Sequence, residues 1–152
     1  MDHRKLQLEH LSRKLAVFEP GKDVAVPAKG WVHAVRTSIG MTLRQLATRM
    51  GITRQSVKEL EDREALGTIS LKTLRAAADA LDMQLLYGFV PRDGSLEETV
   101  ARQARLLAEV IVRRTATSMR LEDQENTEER LERAIAEKTD DLIRTLPRHL
   151  WD

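Results

Sequence analysis

No cysteine occurs in the 152 residues, which excludes disulfides and thiolate metal sites and leaves nothing that points to an oxidising compartment. Aromatic residues are scarce at 3%, so a core has to be built from Leu, Ala, Val and Ile. No apolar run approaches the roughly 18 residues of a membrane span, and the opening MDHRKLQLEH lacks the apolar core of a signal peptide. The expected location is therefore cytoplasmic, with no membrane partner. His3, His10, His33 and His149 stand far apart and lack the spacing of helical metal ligands. A Gly-rich phosphate loop and a Gly-x-Ser-x-Gly elbow are also missing. Carboxylate pairs such as Asp140-Asp141 fall in a charge-rich stretch where solvation is the ordinary fate. An enzyme, a metal site or a cofactor is not expected.

Strong helix formers dominate what is present, and β-branched runs are rare, which predicts a mostly α protein. The length fits one domain with an appendage. Net charge is only +1, but it is unevenly spread. Residues 1–60 hold 11 Lys or Arg against 5 Asp or Glu, while residues 61–152 hold 14 against 19. Phosphate contacts supply much of the affinity for DNA, so the basic half is expected to face a duplex and the acidic half to face away.

The most informative stretch is MTLRQLATRMGITRQSVKELED, Met41 to Asp62. Leu43, Leu46, Ala47 and Met50 recur at helical spacing, Gly51 interrupts, and Val57 and Leu60 mark a second helix. Ala47 suits a close crossing of two helices and Gly51 a sharp turn between them, while Thr42 and Thr53 stand where N-caps are needed. This is the pattern of a helix-turn-helix. The start of its second helix is crowded with Thr53, Arg54, Gln55, Ser56, Lys58 and Glu59. In such a motif that part enters the major groove, where Arg pairs with guanine O6 and N7 and Gln with adenine N6 and N7. Arg54 and Gln55 are the expected base readers, with Thr53, Ser56 and Lys58 positioning the helix and Arg44 touching the backbone. A polar solvated face is the bland alternative.

The run QLATRMGITRQSVKELE resembles the helix-turn-helix of Cro/C1-type repressors, the XRE family. The longer stretch SVKELEDREALGTISLKTLRAAADALDMQLLYGFVP, with Gly30-Trp31 upstream and the ending LPRHLWD, is similar to the bacterial group called mobile mystery protein A. The likeness extends from about Leu6 to Asp152. It implies a small repressor-like protein encoded beside a Fic-domain protein, and so a regulator or antitoxin with a Fic partner. Many repressor domains follow the Glu of this helix with Asn-Gly. Here Glu61 leads into Asp62-Arg63-Glu64, which predicts a longer helix and a different loop. Antitoxins of Fic enzymes place a Glu in the pattern Ser/Thr-x-x-x-Glu-Gly/Asn; Ser118 to Glu122 fits its first part, and Asp123 breaks it.

Taken in order, residues 1–26 read as an amphipathic helix with a linker, Leu6, Leu8, Leu11, Leu15 and Phe18 either covering core or meeting another subunit. Residues 27–83 read as the DNA-binding bundle, with Pro27 in the first turn of a helix through Trp31, Val32, Val35 and Ile39, and Trp31 in the core. Lys29 and Arg36 are either phosphate contacts or solvated charges. Ser70 should cap a helix with Leu71, Leu74, Ala78 and Leu81 buried. Residues 84–94 form an arm: the run MQLLYGFV breaks the helical period and predicts a short β segment, pairing across a two-fold axis to make a homodimer, or else a buried loop. Residues 95–152 form a C-terminal helical extension for dimerisation or partner binding, capped by Ser95, with a solvated acidic helix beyond Leu121 and Trp151 docked on the protein.

These readings converge on a Cro/C1-repressor-like bundle that binds double-stranded DNA as a transcriptional regulator, an autorepressor reading a palindromic operator through helix 53–62. The alternative is an antitoxin that inhibits a Fic-domain protein through its C-terminal half. A module whose helix-turn-helix no longer binds DNA is the third.

Overall fold

The computed structural model describes residues 3–120 and 128–152, without the side chains of 118–120. Helices α1 (His3–Ala16), α2 (Trp31–Ser38), α3 (Leu43–Met50), α4 (Arg54–Leu66), α5 (Leu71–Ala80), α6 (Leu96–Arg120) and α7 (Glu128–Thr145) carry the fold, with single 3-10 turns at Glu19–Gly21 and Arg148–Trp151. No helix among the described residues is long and apolar enough to cross a membrane. The chain divides into two units, Asp23–Gly88 and Met1–Lys22 with Phe89–Asp152.

In the first unit, α2 to α5 surround Val32, Leu46, Ala47, Val57, Leu60, Ala77 and Leu81. All four helices are short, so their ends matter as much as their packing. Ser70 accepts the Thr73 N–H at 3.1 Å and starts α5. Helix α4 runs on to Leu66 and stops at Gly67, longer than the Asn-Gly ending of many repressor domains would permit. Helix α2 begins at Trp31; Pro27 belongs instead to a turn closed by Gly30 N–H donating to its carbonyl at 2.9 Å. Trp31 is 46% exposed rather than in the core, because it is the first residue of α2 and the helix's inner stripe starts at Val32. Leu71 is likewise exposed, and Ala77 takes the deepest place on α5.

The expected β segment is not present: no strand occurs among the described residues. From Gln84 to Val90 the chain is irregular, and no main chain among the described residues pairs with it. A strand exists only through a partner ladder, and this segment has none among the described residues.

The other unit is built on α6 and α7. Ser95 and Glu98 form a capping box at the start of α6, Ser95 N–H donating to Glu98 at 3.0 Å and Glu98 N–H to Ser95 Oγ at 3.2 Å. Ala104 and Ala108 are fully buried beside Ile135, Leu142 and Leu150, so small residues on one helix admit large ones from the other. The acidic stretch is therefore half core: Leu131, Ile135 and Leu142 are buried and only the remaining faces are solvated. Helix α1 packs on α6 through Leu8 and a Ser12 Oγ–H to Glu97 bond of 2.6 Å. Leu150, not Trp151, is the terminal side chain that docks; Trp151 is 59% exposed.

Candidate nucleic-acid interface

The interface is assembled from the ends of α3 and α4. Thr42 and Gln45 form a capping box, Gln45 N–H donating to Thr42 Oγ1 at 3.1 Å and Thr42 N–H to Gln45 Oε1 at 2.8 Å. This fixes where α3 begins and hence where Arg44 emerges. Gly51 ends the helix with φ of 67°, a left-handed conformation that costs other residues about 1–2 kcal/mol. Two residues later Thr53 is extended and caps α4, its Oγ1 accepting Ser56 N–H at 3.0 Å. Ala47 lies buried with Val57 and Leu60, so α3 and α4 meet over a methyl group.

The residues expected to meet DNA divide into two sets. Arg44, Arg54, Gln55, Lys58 and Glu59 are exposed, as is Thr53. Arg44 and Arg54 share an open groove with Thr42 and Leu43, about 520 Å³ in volume, with Arg36 at its back. No side chain among the described residues holds Arg44, Arg54 or Gln55, which leaves their donors free for a ligand. The others are engaged. Thr53 and Ser56 are spent on the cap, their hydroxyls 2.8 Å apart. Lys58 donates to Asp62 at 2.6 Å, and Glu59 faces Arg63 at 3.9 Å, both along α4.

Beneath the groove lies a buried ion pair. Arg36 and Glu61 are 7% and 4% exposed; Arg36 Nε donates to Glu61 Oε1 at 2.5 Å and a terminal nitrogen to Oε2 at 3.1 Å. The remaining Arg36 nitrogen donates to the Met41 carbonyl at 2.9 Å, and His33 Nδ1 lies 3.1 Å from Glu61 Oε2. Burial by itself would push the Glu61 carboxyl up, but the hydrogen bonds from Arg36 and His33, reinforced by their charges, hold it below the usual carboxylate range. One turn further along α4, Glu64 accepts Trp31 N–H at 2.8 Å and Val32 N–H at 2.9 Å, capping α2 from outside. Gly30 makes room for it: a Cβ there would lie 2.7 Å from Glu64 Cδ, and its φ is 84°.

Arg36 is thus neither a phosphate contact nor a solvated charge. It and Glu61 join α2 to α4 and set the floor on which the groove rests. Sequence reasoning missed Glu61 and Glu64 as a working pair; their three-residue spacing, which puts two carboxylates on one face of α4, was the available signal. Lys29 stays exposed beside His33 and Asp62. No cluster of three potential metal ligands occurs among the described residues. Glu122, on which the Fic-antitoxin pattern turns, lies outside the described residues.

Residues 32–87 match a family model, HTH_3, described as helix-turn-helix. No curated protein and no solved structure matches the chain. The match begins at the first buried residue of α2 and runs past α5, spanning both the groove and the ion pair beneath it. Residues 32–87 are therefore a helix-turn-helix domain of the HTH_3, XRE-type family, a family of DNA-binding transcriptional regulators.

Proposed function

We propose that the protein is a sequence-specific regulator that lays the first turns of α4 in the major groove and represses its own gene from a palindromic operator. The observation that carries this reading is the pair of unengaged arginines, Arg44 and Arg54, around one open groove of a helix-turn-helix domain, with Gln55 unengaged beside them. Arg54 and Gln55 read base edges. Arg44 contacts phosphate, and Thr53 and Ser56 act mainly by starting α4 in the right place. Lys58 and Glu59 contribute after their ion pairs on α4 open.

Exposed apolar side chains support a homodimer. Met83, Leu86, Tyr87 and Phe89 are exposed, and Leu86 borders an apolar cleft of about 270 Å³ with Trp31, Leu74 and Leu85. Apolar surface of this kind on a single chain marks a contact with another. Two copies related by a two-fold axis present two α4 helices to half-sites roughly 34 Å apart.

The experiment is a titration of the full-length protein on the duplex upstream of its own gene, with scrambled duplex as competitor. Competitor-resistant binding at a palindrome is expected. The Arg54→Ala variant should lose about 1–3 kcal/mol and relax base preference at one operator position. Unchanged affinity and preference in that variant would show the docking to be wrong. Absence of duplex binding by the wild type, with co-purification of a neighbouring Fic-domain protein, would replace the regulator by the antitoxin.

A further inference from the structure

Gln55, Lys58 and Asp62 are exposed and follow one another at intervals of three and four residues, on the side of α4 away from the buried Val57 and Leu60. Lys58 Nζ donates to Asp62 Oδ1 at 2.6 Å, between side chains that are 52% and 58% exposed. The ammonium that stands one turn beyond Arg54 is therefore neutralised from within its own helix.

Helix stability does not account for this pair. An exposed ion pair contributes about 0–1 kcal/mol, and Lys preceding its acid by four residues is the weaker of the two orientations. Asp is also among the poorer helix formers, yet Asp62 stands in the interior of a helix that runs from Arg54 to Leu66. The neighbouring Glu59 and Arg63 have the stronger orientation and are looser, at 3.9 Å. Nor is Lys58 needed merely to supply charge, because Lys29, Arg44 and Lys72 are exposed cations of the same unit. What sets Lys58 apart is its restraint beside the base readers. The restraint is weak enough for a well-placed phosphate to replace it.

We infer that Asp62 is a specificity-determining residue, which withholds Lys58 from duplex phosphate until base contacts by Arg54 and Gln55 seat α4 in the groove. The inference rests on the DNA-binding reading given above. Non-specific complexes are held by phosphate contacts, and these carry no sequence information. A duplex of the wrong sequence meets Lys58 already neutralised, with a carboxylate beside it. On the operator, Arg54 and Gln55 hold the backbone within reach, and Lys58 exchanges the Asp62 carboxylate for a phosphate oxygen. One charge-assisted hydrogen bond replaces another, so the exchange is nearly balanced. Operator preference then rises because the wrong complex is weakened, not because the right one gains a contact.

The test is a salt titration of the full chain on the upstream duplex and on a scrambled one, for the wild type, Asp62→Asn, Lys58→Gln and the double variant. In Asp62→Asn the scrambled duplex should bind about fivefold tighter per copy at about 0.15 M salt, with the slope of log affinity against log salt steeper by about 0.9 for one added phosphate. The slope on the upstream duplex should stay at its wild-type value, so that operator preference falls. Lys58→Gln should weaken the upstream duplex and flatten its slope by about 0.9, leaving the scrambled duplex unchanged. The double variant should show none of the gain seen in Asp62→Asn, and Asp62→Glu, which keeps the carboxylate, should keep the wild-type preference. Equal tightening on both duplexes in Asp62→Asn, or the same gain when Lys58 is already replaced, overturns the inference, because Asp62 would then only repel phosphate. Wild-type affinities in Asp62→Asn overturn it as well. In each of these cases Arg54→Ala still weakening the upstream duplex leaves the regulator standing, whereas no duplex binding by the wild type removes both together.

Discussion

The two units solve the problem of holding helices together in opposite ways. In Asp23–Gly88 the helices are short, and between α2 and α4 the structure spends a buried arginine, a buried glutamate and a second glutamate that caps a neighbouring helix. In the unit of α6 and α7, among the described residues, the buried positions are all apolar: Val100, Ala104 and Ala108 against Ile135, Leu142 and Leu150. Long helices present enough alternating small and large residues to seal the buried part of a seam by shape, with the Arg105–Glu132 ion pair at its exposed edge. Short helices meeting at steep angles do not, and a bidentate ion pair sets their relative position by direction as well as distance. The polar solution is the more brittle one, since deleting one partner strands the other charge in the interior. It also places α4, the element proposed above to meet DNA.

That contrast can be broken most severely at Glu61. Glu61→Ala should cost about 3–5 kcal/mol, because Arg36 is left buried without its carboxylate. Hydrogen exchange resolved by segment should show α2 to α5 losing protection while α6 and α7 keep theirs. Equal loss in both units would mean that the pair does not act locally. The converse is Ile135→Ala, at about 2–5 kcal/mol for a fully buried side chain, with the loss confined to α6 and α7. Comparable loss across α2 to α5 would contradict the division into units.

Gly30→Ala should be milder, about 1–2 kcal/mol for the left-handed backbone, with the Glu64 side chain forced to move from the N-terminus of α2. Unchanged stability, or unchanged exchange at Trp31 and Val32, would show that the external cap contributes nothing. The gentlest probe changes only a proton. Because the Glu61 carboxyl is held below its ordinary value of 4.5 in the fold, its contribution is fully present above that value. It should fade as pH falls through the lower, folded value. Urea midpoints of α2 to α5 measured against pH should show this fall and Glu61→Gln should flatten it; identical profiles would remove Glu61 from the acid response.

Much of the helix-turn-helix is legible because its rules are local. Caps at Thr42, Thr53 and Ser70, a positive φ at Gly51 and helical spacing of Leu46, Ala47, Val57 and Leu60 each depend on residues within a turn or two. The same holds for the capping box at Ser95. Expectation and structure part where an assignment needs a distant partner. Composition at MQLLYGFV predicts a β segment, but a ladder requires another strand and none adjoins it among the described residues. Hydrophobicity assigns Trp31 and Trp151 to the interior, whereas each sits beside the residue, Val32 or Leu150, whose helical angle points inward.

By itself the sequence determined that the protein is helical, where most helices begin and stop, and that an HTH-type motif offers Arg54 and Gln55 outward. Backbone φ, capping oxygens and the 3.6-residue repeat are properties of neighbours along the chain. The tertiary structure alone decided that Arg36 is buried on Glu61, that Glu64 caps α2, that Lys58 is tied to Asp62, and that α1 packs on α6 with its cations exposed. Whether a charge is solvated, paired or free for a phosphate depends on which helix lies across from it, and helix spacing carries no record of that.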